Sequence, residues 1–193
     1  FTPDFVARKS VACFGNRIIC LGSGISNSNV NYPTETTLFQ CALPAKYQPA
    51  VLEDSCTLRD PFGNYFYIQK GKPHQTEGLQ HSFHNKSRKA TEGKFLTAWI
   101  DHGKAPQNAE YEYLILLRPT EKERKEARQS YIIKQQDCQA HIVFDKLTQV
   151  TACSFFEAYQ NAQADLIQQA DAETLVMYKK NESDIQLSIC SPN

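Results

Sequence analysis

Apolar and polar residues alternate along most of this chain with the two-residue period of β-strands. Arg8 to Phe14, then Gly15-Asn16, then Arg17 to Leu21 predict a hairpin whose glycine opens a two-residue turn of type II′ geometry. That turn pairs Phe14 with Arg17, Cys13 with Ile18 and Val11 with Cys20, so Cys13 and Cys20 do not face each other. Gly22 to Pro33 is rich in glycine, serine and asparagine and reads as a loop. Further strands are predicted at Thr34 to Cys41, Asn64 to Gln69, Lys94 to Asp101 and Glu110 to Leu117. Pro44 to Pro49 breaks the chain between the first two of these, and Pro106 lies in the connection Gly103 to Ala109.

Glu110 to Leu117 carries Tyr111, Tyr113, Ile115 and Leu117 on one face, and Glu110, Glu112, Leu114 and Leu116 on the other. A strand that begins half-exposed and ends buried on both sides runs from the rim of a sheet into a sandwich core. One helix is predicted over Glu121 to Gln129, opened by Thr120 and Glu123 at capping-box spacing. Its apolar stripe is thin, which places it on the surface. Ala140 to Phe144, Val150 to Phe156, Thr174 to Tyr178 and Ile185 to Cys190 complete the strands, and the last two flank a turn as a terminal hairpin. Ala162 to Ala170 reads as a short helix or a loop. The pattern predicts an all-β chain, an antiparallel β-sandwich with one short surface helix.

Composition narrows the class. The 193 residues are 41% hydrophobic and 22% charged, as in a folded domain. Twenty-one basic side chains balance 21 acidic ones, which argues against a nucleic-acid partner. No apolar run approaches the ~20 residues that span a membrane as a helix. The chain opens on Phe1, with no charged and apolar leader, and enters strand-like Phe5-Val6-Ala7 at once; this favours a cut within a longer protein. Seven cysteines include no CxxC pair. Cys13, Cys20, Cys41, Cys153 and Cys190 sit beside apolar neighbours and are expected as buried small hydrophobes.

Several stretches resemble polysaccharide lyase family 8, and within it the chondroitin sulfate ABC lyases. They are Ala7-Arg8-Lys9-Ser10-Val11, Arg17 to Ile25, Thr34 to Gln40, Thr91 to Phe95, Trp99-Ile100-Asp101-His102-Gly103, Ala109 to Tyr113, and Val143 to Leu147. Each is weak alone; their collinear order carries the resemblance. It implies the later part of that family's central β-domain, a β-supersandwich of the galactose-mutarotase-like type. Residues 1–193 then form a single β-sandwich domain of a larger, secreted or periplasmic bacterial lyase. Such enzymes are similar in plan: an α-helical toroid bears the catalytic residues, and β-elimination cleaves a glycosaminoglycan next to uronic acid. No catalytic residue of the family finds a matching motif in this chain. The resemblance thus implies a non-catalytic domain with no cofactor and no metal. Its expected partners are the α-helical catalytic domain of the same parent chain and the glycosaminoglycan substrate.

The residues also offer candidate chemistry apart from that resemblance. Elimination beside a uronate needs a carboxylate neutraliser, a base and an acid. Asp101-His102 is the most suggestive pair, but neighbours on a strand face opposite ways. A His102 turned into the following loop would cap the turn before Gly103. Tyr111 and Tyr113 share a face, with Arg118 farther along; tyrosines on a half-buried strand more often pack. His81 and His84 cannot share a metal within a strand, and no ligand set completes them. Lys86, Arg88 and Lys89, together with Lys94, form a basic run able to meet sulfates or carboxylates. That run supports an alternative function, a stand-alone carbohydrate-binding module. Trp99 between Ala98 and Ile100 is expected in the core rather than on a sugar. Asn85-Lys86-Ser87 and Asn181-Glu182-Ser183 fit a glycosylation pattern that also arises by chance.

Overall fold

The computed structural model of the protein describes residues 4–44, 46–49, 52 and 54–191; Phe1 lies outside them. In chain order the strands are β1 (Val6–Phe14), β2 (Arg17–Ser26), β3 (Pro33–Ala42), β4 (Thr57–Arg59), β5 (Tyr65–Lys70) and β6 (Lys72–Phe83). Then come β7 (Ala90–Lys104), β8 (Ala109–Leu116), the helix α1 (Glu121–Glu126) with a 3-10 turn at Ala127–Gln129, and β9 (Tyr131–Gln136). The chain continues with β10 (Ala140–Asp145), β11 (Val150–Phe155), β12 (Tyr159–Gln160), β13 (Gln169–Ala170), β14 (Thr174–Lys180) and β15 (Ile185–Cys190). All pairings are antiparallel.

Three sheets stack as layers. The central sheet has the order β1-β2-β8-β5-β4, one flanking sheet β3-β7-β6, and the other β15-β14-β11-β10-β9. The central sheet is covered on both faces, and alternation sorts its residues. Cys20, Phe66, Ile68, Tyr111 and Tyr113 pack toward Phe39, Leu96, Ala98 and Ile100 of the three-stranded sheet. Ile19, Leu21, Tyr67, Leu114 and Leu116 pack toward Tyr131, Val143 and Ala152 of the five-stranded flanking sheet. The outer face of that flanking sheet is covered in part by the segment around Tyr159 and Leu166.

The Gly15-Asn16 hairpin has the expected register, with Phe14 opposite Arg17 and Val11 opposite Cys20. Gly15 has φ +63°, and all seven cysteines are free. The stretch from Gly22 is not a loop at its start: β2 continues to Ser26. Gly22 lies opposite Tyr111, and a Cβ there would fall 2.2 Å from that ring, so only glycine keeps the strand in place. One extra residue between Gly22 and Ile25 then forms a bulge. The bulge turns Ile25 to the face of Cys20 rather than that of Ile19 and Leu21.

Five strands escape the sequence pattern: the short β4, β12 and β13, and the longer β6 and β9. β6 is polar and holds Pro73 and Gly78, yet it pairs with β7 from Lys72 opposite Asp101 to Phe83 opposite Ala90. β9 is half polar and is kept by pairing to β10. Ala162 to Ala170 forms no helix and ends in β13. The predicted helix is α1, with both bonds of the capping box: Glu123 N donates to Thr120 Oγ1, and Thr120 N donates to Glu123 Oε2. It sits against the central sheet through Arg124, 5.0 Å from the Tyr65 ring. Of the five cysteines expected inside, Cys20 and Cys153 are buried, Cys41 is half-buried, and Cys13 and Cys190 are exposed on edge strands.

Polar clamps join the central sheet to the five-stranded one. Arg17 donates from Nε and Nη2 to the two oxygens of Asp145, at 3.1 and 2.8 Å. His141 lies between Ser10 and Ser23, each hydroxyl 2.8 Å from a ring nitrogen. Ser23 spends its proton on the Asp137 carbonyl, so it accepts from Nε2–H, and Ser10 donates to Nδ1. Ser10 can donate there because burial keeps the imidazole neutral at neutral pH. Burial holds its pKa down from 6.5 to about 4, against the raising influence of Asp137 and Glu110.

The folded pKa of His141 lies below the unfolded one, so the unfolded chain binds a proton first as pH falls. Stability present above pH 6.5 is lost progressively toward pH 4. Half-buried His102, also shifted downward by burial, adds in the same direction. Urea unfolding of His141→Gln should show a smaller loss over this window than the wild type; equal losses would contradict the assignment.

Candidate functional site

The sequence-predicted residues do not converge on one place. Past the end of β3, β6 and β7 continue as a two-stranded ribbon, and Lys86, Arg88 and Lys89 occupy its exposed tip. Arg88 has φ +54° and lies 5.7 Å from the Phe83 ring. Lys94 is not part of that cluster. It sits back along the ribbon and pairs with Glu77 Oε1 at 2.5 Å, on the ribbon face that carries Leu96 toward the core. His81 points toward Glu92, 3.6 Å away, while the His84 ring accepts from Ser87 N in the turn. The two histidines therefore hold no common ligand. Among the described residues, no group of three His, Cys, Asp or Glu side chains is placed to bind a metal ion. Both glycosylation-like triplets fall in exposed turns.

Asp101 and His102 both belong to β7, and they separate as strand neighbours must. The cap of the turn is Asp101, whose Oδ1 accepts from Gly103 N at 2.8 Å. His102 faces inward, with Nε2 2.9 Å from Thr36 Oγ1 and its ring 6.1 Å from that of Tyr111. Arg118 follows the other end of β8, seven residues and about 23 Å of extended strand from Tyr111. Trp99 is not in the core: it faces outward with Asp101 and Thr97, half-buried, and stacks on His74. The alternation Leu96, Ala98, Ile100 against Phe95, Thr97, Trp99 carried this information in the sequence.

A cleft of about 800 Å³ opens between the edge strands β1 and β3. Tyr111 and Tyr113 line it from β8, Lys9 from β1, Thr36 from β3, and Asn27 and Tyr32 from the β2–β3 connection. Its size and its mix of aromatic and amide groups suit a sugar. Behind the wall of the cleft, His102 meets Thr36 and Tyr111. Burial lowers the pKa of His102 and pushes Tyr111 up to about 12, so the imidazole and the phenol are both neutral. Tyr113 is raised further by the same cause. Among the described residues that line the cleft, none is an arginine able to neutralise a uronate carboxylate, Lys9 is the one cation, and Glu35 adds a negative charge.

The family model described as polysaccharide lyase family 8, super-sandwich domain, matches residues 3–128. The chain belongs to polysaccharide lyase family 8. The chondroitin sulfate ABC exolyase of Proteus vulgaris is 38% identical to it, across 97% of this chain and 20% of that protein. The ABC exolyase of Bacteroides thetaiotaomicron is 34% identical, across 97% and 19%. The chain thus spans about a fifth of the length of the curated relatives it matches. A chondroitinase AC lyase studied in oligosaccharide complexes has the same fold, with a TM-score of 0.79 and 20% identity over 100% of this chain and 31% of that one. Paenibacillus xanthan lyase has a TM-score of 0.76 and 20% identity, over 97% and 21%. The expected all-β sandwich with one short helix, and the family, are both borne out.

The exposed Lys86, Arg88 and Lys89 differ from the ion-paired Lys94 in what they can offer a ligand. Replacing the three tip residues with alanine should weaken binding of a sulfated oligosaccharide by roughly tenfold or more at low salt. Lys94→Ala should stay within about twofold of the wild type. Titration calorimetry at two salt concentrations checks both; equal losses would contradict the separation.

Proposed function

We propose that this chain is a non-catalytic β-domain of a glycosaminoglycan lyase. The parent would act on chondroitin or dermatan sulfate, or on hyaluronan, by β-elimination next to uronic acid. The domain supports an α-helical catalytic domain of the same parent chain and completes one wall of its substrate cleft. The reading carries a secreted or periplasmic location for the parent.

The observation that carries it is the chemistry of the cleft between β1 and β3. Elimination needs a cation on the uronate, a base for the C5 proton and an acid for the leaving oxygen. The cleft offers hydrogen bonds, aromatic faces and the Glu35 carboxylate, but among the described residues that line it Lys9 is the one cation and no arginine is present to neutralise a uronate. Such a surface positions a sugar better than it breaks one. The relatives' names and the fraction of their length that the chain matches support a larger parent. No helix among the described residues is long and apolar enough to cross a membrane.

The exposed basic tip favours a second reading, a stand-alone module that binds sulfated polysaccharide. Incubation with chondroitin sulfate decides between catalysis and binding. The proposal expects no accumulation of the ultraviolet-absorbing unsaturated uronate from the isolated chain. Robust, time-dependent product that scales with chain concentration would overturn it.

A further inference from the structure

The outward face of the sheet β3-β7-β6 differs from the rest of the surface. Residues opposed across an antiparallel ladder share a face. The register places Thr37, Trp99 and His74 in one row, and Gln40, Thr97 and Thr76 in another. Phe95 follows, with Ala42 on one side and Gly78 on the other. Along the ribbon beyond, Gln80 opposes Gly93. From the Trp99 row to the Gln80 row, no Lys, Arg, Asp or Glu side chain belongs to this face.

Two aromatic rings stand on the face. Trp99 stacks on His74, with centroids 5.5 Å apart and planes 15° apart. Phe95 lies four residues away on the same strand, about 13 Å at ordinary strand rise. That separation is comparable to the length of a disaccharide. Phe95 is half-buried. A Cβ on Gly93 would fall 3.0 Å from Phe95 Cε2, so the ring leans along the strand over the bare glycine. A Cβ on Gly78 would meet nothing within 4 Å. Glycine inside a strand weakens the ladder and often marks a place where another molecule approaches closely.

The groups between the rings are hydrogen-bonding and uncharged. Gln40 Nε2 donates to Gln80 Oε1, and Gln80 Nε2 donates to Thr97 Oγ1 at 3.1 Å. Beside Trp99, His74 Nε2 is buried without a hydrogen-bond partner, and Asp101 Oδ2 is 4.0 Å from it. A protein partner would seek a larger apolar centre. Pyranose rings present a C–H face to an aromatic ring and hydroxyls at their edge, and this face offers both complements.

We propose that the outward face of β3-β7-β6 is a binding strip for a linear polysaccharide. One pyranose stacks on Trp99, another on Phe95, and Gln40, Gln80 and Thr97 bond the hydroxyls between them. The inference rests on the reading that the parent acts on a glycan, and it assigns this face the C–H faces and hydroxyls of the sugar rings. The ribbon tip with Lys86, Arg88 and Lys89 lies at the end of the same strip, where anionic groups of that chain would follow.

The chain has one tryptophan, so its emission reports on Trp99 alone. Titration with an unsulfated chondroitin oligosaccharide should give a saturable change in emission whose midpoint moves little with salt. Phe95→Ala and Gly93→Val should each raise the dissociation constant roughly tenfold, while circular dichroism confirms the fold. Trp99→Phe, followed by calorimetry, should weaken binding less than Trp99→Ala. Unchanged emission, or affinities within about twofold for Phe95→Ala and Trp99→Ala, would overturn the strip. Calorimetric binding lost only in Lys86→Ala/Arg88→Ala/Lys89→Ala would overturn the strip and leave the glycan reading in place. Absence of binding by both methods would overturn the strip, and lyase activity of the full-length parent then decides the broader reading alone.

Discussion

The buried pair Arg17–Asp145 is the contact around which the layers are set. Asp145 is 0% exposed and is matched by four donors: two from the guanidinium, the Thr148 amide and the Thr148 hydroxyl. A buried carboxylate satisfied on both oxygens tolerates burial; one stripped of its guanidinium does not. Arg17 opens β2 and Asp145 closes β10, so the pair fixes how the five-stranded sheet meets the central one. The Ser10–His141–Ser23 bridge and the Gln136 amide, which donates to the carbonyls of Gly22 and Tyr111, repeat the device along the same interface. Apolar contact alone is tolerant of sliding; these directional bonds are not.

The other face of the central sheet inherits its position from this interface. Tyr111 and Tyr113 line the cleft between β1 and β3, and they alternate with Leu114 and Leu116, which pack against the clamped layer. Gly22 makes room for Tyr111, and the bulge before Ile25 carries β2 to the connection that bears Asn27. The cleft is therefore a consequence of packing two layers on one sheet. Burial at its wall keeps His102 and Tyr111 neutral.

What the sequence made legible follows the same physics. The hairpin at Gly15-Asn16, the alternation of β8 and the capping box at Thr120 and Glu123 are local signals that appear where expected, except that β8 stops at Leu116 and Leu117, expected in its buried end, is exposed. β6 was illegible because a polar strand with a proline and a glycine carries no alternation; its partner β7 supplies the reason for its existence. Gly22 was mistaken for a loop because the pressure for glycine comes from a ring on another strand. Lys94 read as one with Lys86 to Lys89 because proximity in sequence hides which face of a ribbon a side chain takes. Trp99 was assigned to the core from its neighbours, although the period of two already set it opposite Leu96, Ala98 and Ile100.

The most direct test of the central claim is a double-mutant cycle on Arg17 and Asp145, read by urea unfolding. Each single change, Arg17→Met or Asp145→Leu, leaves one buried charge without its partner and should cost about 3–5 kcal/mol. The double change should cost much less than the sum, since two apolar side chains can replace a buried ion pair. Additive losses, or single losses below about 1 kcal/mol as for a surface pair, would contradict the account.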